Sequence, residues 1–305
     1  MKKDYIFDNY VSIARNFKSE KNYIKAIKFY KKAYQCEEGK KDVELIMDIA
    51  ILYCEMMCYA LSEKKYKEVL RIDSEDARAY YGLAVVYDEQ EKYDEAVKYY
   101  KKAIEIDPKY DRAYFFLANI YDEIGQKDKA IVNYKKVIEM QPKDLWANAN
   151  LGSIYEELNE NELAFEYMKK ALEINSTHFR ILFNMGVILN KLGYENEAIE
   201  YYKKSIYQNF YYPYSFLNLS VYYKEKGDFD KAIQIISDGI DNNPEAGFLY
   251  YNRACFYVKK NLLEDALDDI IKCVEVSPEL EKYMKEDEEL YPVRKLERYN
   301  KIFSK

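Results

Sequence analysis

Asn150, Asn184, Asn218 and Asn252 recur at intervals of 34 residues. A side-chain amide carries both a donor and an acceptor, so one amide per interval suits the backbone of an extended peptide. Asn119 adds a further amide. Arg112 and Arg180 offer guanidinium forks of the kind that grip carboxylates. Phe115, Trp146, Phe183, Tyr214 and Tyr251 fall between these polar residues. Large rings with polar edges are frequent anchors of protein interfaces. The chemistry these residue types offer is recognition rather than bond making.

Candidates for bond-making chemistry are few. His178 is the single histidine, and no nucleophile motif surrounds it. A Ser-His-Asp or Cys-His arrangement would depend on that one residue. Cys54 and Cys58 lie four apart, but a zinc centre takes about four ligands and no second Cys or His pair follows. No glycine-rich phosphate loop occurs. Acidic pairs such as Asp88-Glu89 and Asp122-Glu123 are too regular to single out catalytic acids. The expectation is a non-enzyme with no catalytic residue, no metal and no cofactor.

Composition narrows the class of partner. The chain has 305 residues, 49% apolar and 33% charged, which suits a folded protein. A formal charge of −7 argues against nucleic acid, which rewards basic surfaces. The opening MKKDYIFDNYVSIA has acids at Asp4 and Asp8 where a leader would be apolar. No window of about 18 residues is apolar enough to span a membrane. The five cysteines are scattered and odd in number, which suits reduced thiols. The chain is therefore expected in the cytoplasm, with neither nucleic acid nor membrane as partner.

These residues must be positioned by repeating elements. DEAVKYYKKAIEIDP, from Asp94, is followed 34 residues later by DKAIVNYKKVIEMQP, with eight of fifteen positions identical. Units of 34 begin at residues 7, 43, 77, 111, 145, 179, 213 and 247. Such a period marks a solenoid of supersecondary units. Position 8 of each unit is small: Ala14, Ala50, Ala84, Ala118, Gly152, Gly186, Ser220, Ala254. Position 20 is Ala in every unit except the second, where it is Ser62. Small residues at fixed helical positions let two helices approach closely. Gly125, Asn159, Gly193, Gly227 and Asn261 at position 15 suit a left-handed helix cap. Each unit reads as helix, tight turn, helix.

The unit from 77 carries Tyr80, Leu83, Ala84, Tyr87, Ala96, Tyr100, Ala103 and Pro108 at positions 4, 7, 8, 11, 20, 24, 27 and 32. The pattern resembles the tetratricopeptide repeat family. Glu38, Ser74 and Phe210 depart from its proline. The resemblance implies an all-α fold, a right-handed superhelical α-solenoid of about eight helix-turn-helix units plus a C-terminal capping helix. Residues 1–280 would form the array, and the charged stretch 281–305 a polar capping helix over its bare end.

A helix turns about 100° per residue, so positions 4, 7, 8 and 11 share one face and positions 2, 5, 6 and 9 point away from it. In the family the second face lines the concave groove that holds ligands. The implied role is a scaffold or adaptor that binds an extended segment of a protein partner through Arg112, Phe115, Asn119, Trp146, Asn150, Arg180, Phe183, Asn184, Tyr214, Asn218, Tyr251 and Asn252. Some members clamp a terminal carboxylate with five residues. Asn119, Asn150 and Arg180 match three of those places, while Phe115 and Asn184 replace the other Lys and Arg. A weaker acidic or C-terminal peptide site centred on Arg180 is the form that survives. The alternative is a regulator that changes curvature on binding a signalling peptide. Members of that kind usually carry an N-terminal DNA-binding domain, for which an array beginning near residue 7 leaves no room. The oligomeric state is not legible.

Overall fold

A computed structural model describes residues 2–303, and among these every regular element is helical. The chain divides into two compact units, one ending at Ala147 and one beginning at Asn148.

The first unit stacks four helical hairpins. They are α1 (Lys2–Ser19) with α2 (Tyr23–Tyr34), α3 (Val43–Glu55) with α4 (Tyr59–Ile72), α5 (Ala77–Asp88) with α6 (Tyr93–Ile106), and α7 (Asp111–Glu123) with α8 (Lys127–Met140). Helix α9 (Leu145–Glu157) runs across the division between the units. The second unit continues with α10 (Asn161–Ile174). Hairpins α11 (Phe179–Lys191) with α12 (Glu195–Gln208), α13 (Pro213–Glu225) with α14 (Phe229–Asn242), and α15 (Gly247–Lys259) with α16 (Leu263–Val276) follow.

The small positions do what their size permits. The residue at position 20 is at most 1% exposed in every unit, and Ser62 satisfies its hydroxyl on the Ala50 carbonyl at 2.7 Å. Position 24 drives a large side chain into the same seam: Tyr30, Tyr66, Tyr100, Tyr134, Met168, Tyr202, Ile236 and Ile270 are all buried. A methyl group built on Gly186 would lie 2.7 Å from the Tyr202 ring, so that close approach requires glycine. Burying about 25 cal/mol per Å² of apolar surface makes such seams the main source of cohesion.

The hairpin turns share one backbone device. All eight residues at position 15 have positive φ: Lys21, Met57, Glu91, Gly125, Asn159, Gly193, Gly227 and Asn261. The next residue donates back into the helix, as Gln126 does to the Tyr121 carbonyl at 2.7 Å and Cys58 to the Tyr53 carbonyl at 2.8 Å. This satisfies carbonyls left open by the helix end. The sequence names five of these turns. Lys21, Met57 and Glu91 adopt the same conformation without a residue type that favours it.

Where one helix is expected over 281–305, the described residues form several short ones. After a 3₁₀ turn at Pro278–Leu280 come α17 (Glu281–Glu286), a second turn at Glu288–Leu290, α18 (Tyr291–Arg294) and α19 (Glu297–Phe303). Pro278 opens the first of these pieces and Pro292 is the second residue of α18, first-turn places where a missing backbone donor costs nothing. The segment is polar outside but apolar inside. Met284, Leu290, Val293 and Tyr299 are buried in one cluster with Leu249, Phe256 and Ile270. Arg294 donates to the backbone carbonyls of Met284 and Asp287 and holds the turn closed.

Candidate functional site

In the first unit the residues at positions 2, 5 and 6 gather into an aromatic group. Tyr81 packs against Tyr110 at 5.0 Å and Phe116 at 6.1 Å between centroids, and Phe115 meets Phe116 edge-on at 5.4 Å. Arg112 lies over the Tyr81 ring at 5.8 Å. A cleft of about 170 Å³ is lined by Asp111, Arg112, Phe115, Phe116, Val137, Asp144 and Trp146. Trp146, the single tryptophan, is 43% exposed there. Asp144 caps α9 by accepting from the Ala147 amide at 2.7 Å.

A wider cleft of about 440 Å³ opens beside this group, lined by Cys54, Met57, Tyr66, Tyr81, Gly82 and Arg112 among others. Of these residues only Arg112 is among the peptide-contacting residues expected from the sequence. Its signal is Gly82, which stands where later units place Asn. A methyl group there would lie 2.2 Å from the Tyr66 ring, so glycine lets the ring lie across the helix.

In the second unit a corresponding group forms a chain of rings. Phe179 meets Tyr212 at 5.0 Å, Tyr212 meets Phe183 at 5.3 Å and Tyr214 at 5.4 Å, and Tyr214 stacks on Phe248 at 5.2 Å. Tyr214 is 48% exposed. Arg180 is exposed and lies over Phe179 at 5.7 Å. His178 is the residue before α11, half-buried, and stacks on Phe179 at 5.1 Å. Burial, and then the charge of Arg180, hold its imidazole below its ordinary pKa.

The amides are half-buried and have partners within the fold. Asn119 accepts from the Tyr134 hydroxyl at 2.5 Å. Asn184 donates to Ser153 Oγ at 3.1 Å. Asn218 is hydrogen-bonded to the Tyr202 hydroxyl, and Asn252 donates to the Phe248 carbonyl one turn earlier at 2.7 Å. Asn150 is also half-buried and engaged in an interaction. An amide has two donor hydrogens and two acceptor lone pairs, so each bond leaves capacity over. Tyr251 is placed differently from the other rings. Its hydroxyl donates to Asp287 Oδ2 at 2.5 Å and its ring meets Tyr283 at 5.5 Å, so the terminal segment lies against it.

Acids along positions 12 and 13 are partly neutralised. Lys127 pairs with Asp122 at 2.5 Å and Lys191 with Glu156 at 2.5 Å. Asp88 is pushed up to about 6 by burial, with Glu89 adding to the shift and the Tyr100 hydroxyl, 3.3 Å away, opposing it. Burial likewise raises the thiols of Cys54, Cys255 and Cys273, keeping them protonated and unreactive. Among the described residues no group of three or more His, Cys, Asp or Glu side chains is placed to hold a metal ion. No helix among them is long and apolar enough to cross a membrane.

Family models named tetratricopeptide repeat match residues 77–110 and residues 111–144, 147–178, 179–211, 213–245 and 249–280. A search of curated proteins found no match. Among solved structures, a tetratricopeptide repeat protein from Parabacteroides merdae is 18% identical. The alignment covers 77% of this chain and 93% of that one, with a TM-score of 0.63. YrrB, described as a TPR protein with an unusual peptide-binding site, is 24% identical over 60% of this chain and 94% of its own, at 0.53. Cut9 in complex with Hcn1, from the APC/C, is 16% identical over 89% of this chain and 52% of that one, at 0.59. These likenesses are of fold. The repeat matches extend over more than half of the sequence and coincide with the paired helices and their left-handed turns, and the chain belongs to the tetratricopeptide repeat family.

Proposed function

We propose that this protein is an interaction scaffold whose first-helix faces bind an extended segment of a partner protein. The carrying observation is Tyr214, stacked on Phe248 and tilted against Phe183 yet 48% exposed. Hairpin packing does not need that ring in solvent, whereas an interface anchor does. Trp146 offers a similar ring in the first unit. Amides at Asn119, Asn150, Asn184, Asn218 and Asn252 keep bonding capacity that a peptide backbone would use, and Arg112 and Arg180 stand beside the rings. YrrB, similar in fold, is described as having a peptide-binding site. The protein would work in the cytoplasm without a cofactor.

The test is a peptide array probed with the full chain, followed by titration of the best binders. Tyr214→Ala or Trp146→Ala should weaken binding several-fold while shifting the thermal midpoint little, because exposed rings contribute little to folding. Absence of any saturable peptide binding, or binding by both variants as tight as that of the parent, would reject the reading.

A further inference from the structure

The wider cleft of the first unit holds a polar group that the fold leaves unserved. In other hairpins the residue at position 6 meets the ring at position 24 of the hairpin before. Phe116 stacks on Tyr100 at 6.3 Å between centroids, and Asn218 is hydrogen-bonded to the Tyr202 hydroxyl. Gly82 takes that place against Tyr66 and has no side chain to offer. Tyr66 is only 4% exposed, yet its hydroxyl has no hydrogen-bond partner among the described residues. With Ile51, Tyr81 and Val85 the ring lines a cleft of about 440 Å³. Ligand pockets commonly measure about 300–1,000 Å³ and set a few polar groups in apolar walls.

The charges in this lining are divided. Glu55 and Glu89 act on Cys54, whose thiol is pushed up to about 11 by burial and then by these two carboxylates. Glu55 is paired with Lys18 at 3.0 Å. Glu89 is exposed and has no cation in ion-pair contact among the described residues. Arg112, the one cation in the lining, acts instead on Tyr81 and Tyr110, and in the smaller cleft it lies with Asp111 and Asp144. The end of the cleft beside Cys54 is therefore negative.

We propose that this cleft receives an arginine side chain of the bound segment, its stem on the Tyr66 and Tyr81 rings and its guanidinium at Glu89. The inference rests on the peptide-binding reading above and names one residue of the segment. A guanidinium is planar, lies well on aromatic faces and pairs with a carboxylate through two parallel hydrogen bonds. The Tyr66 hydroxyl accepts one of its remaining hydrogens. An acidic side chain in the same place would face the unpaired Glu89 carboxylate, which repels it. Gly82 makes the site particular to this hairpin, since no other unit has glycine at position 6.

The experiment titrates two fluorescein-labelled peptides, Gly-Ser-Leu-Arg-Leu-Gly-Ser and its counterpart with Glu for Arg, into the full chain by anisotropy. The arginine peptide should bind about tenfold more tightly, with the preference shrinking as salt rises. Glu89→Lys should remove about five- to tenfold of that affinity, and Tyr66→Phe, which keeps the ring, about two- to threefold. Glu20→Lys makes the same change of charge at an exposed acid outside the cleft, and should alter affinity less than about twofold. Circular dichroism should show all three variants folded. Equal binding of the two peptides, an unchanged affinity in Glu89→Lys or Tyr66→Phe, or equal losses in Glu89→Lys and Glu20→Lys would overturn the arginine site. The broader reading would survive such a result if Trp146→Ala still weakened both peptides. Failure of both peptides to bind would overturn the arginine site and leave the peptide array to decide the broader reading.

Discussion

The Tyr251 hydroxyl donates to Asp287 Oδ2 at 2.5 Å, joining the first helix of the last hairpin to the terminal segment. Burial and the neighbouring carboxylate together push the phenol well above its ordinary pKa, so it remains a donor at all physiological pH. Hydrogen bonds to charged groups contribute about 1.5–3 kcal/mol. Tyr251→Phe should therefore cost about 1–3 kcal/mol in urea unfolding of the second unit. Amides over 281–303 should exchange hydrogen faster. Unchanged exchange there would show that the buried cluster around Leu290 holds the segment without this bond.

Glu91 adopts φ of +57° at the turn between α5 and α6. A side chain in this conformation costs about 1–2 kcal/mol, from which glycine is exempt apart from its greater entropy when unfolded. Glu91→Gly should raise stability by about 0.5–1 kcal/mol, measured by chemical denaturation. A loss would mean that the Glu91 side chain makes up for its backbone strain.

Arg253 and Asp269 form a two-pronged pair between α15 and α16, with contacts of 2.8 and 2.7 Å and side chains 18% and 7% exposed. Ser237 takes a further guanidinium hydrogen at 2.8 Å. Breaking a buried pair costs more than replacing it, because the survivor stays charged and unsolvated. Asp269→Leu alone should cost about 3–5 kcal/mol, and Arg253→Met with Asp269→Leu should recover most of that. Thermal unfolding of the single and double variants separates the two outcomes.

Asp88 sets a pH dependence with a definite sign. Its folded pKa of about 6 lies above the ordinary 3.8. The folded state therefore holds the proton more tightly than the unfolded state between about pH 4 and 6. The group favours folding most below about pH 4, and that contribution is lost as pH rises through 6. Asp88→Asn should flatten this part of the stability profile and raise the thermal midpoint at pH 7 relative to the parent. Parallel profiles for the two proteins would place the titration elsewhere.

The repeat, the helix pairs and the buried seam are legible in the residue order. Helix periodicity and size constraints act within one unit of 34 residues, so Ala96 and Tyr100 announce their burial from spacing alone. The same spacing sets which residues face away from that seam. What those residues meet depends on how the helices pack. Asn184 finds Ser153, Asn119 finds Tyr134 and Tyr251 finds Asp287, each contributed by another element. The cleft over Gly82 exists because the Tyr66 ring arrives from the preceding hairpin. A local pattern fixes the direction in which a side chain points. Its partner depends on helices distant in sequence, on how closely small residues let them approach, and on the charges they bring along.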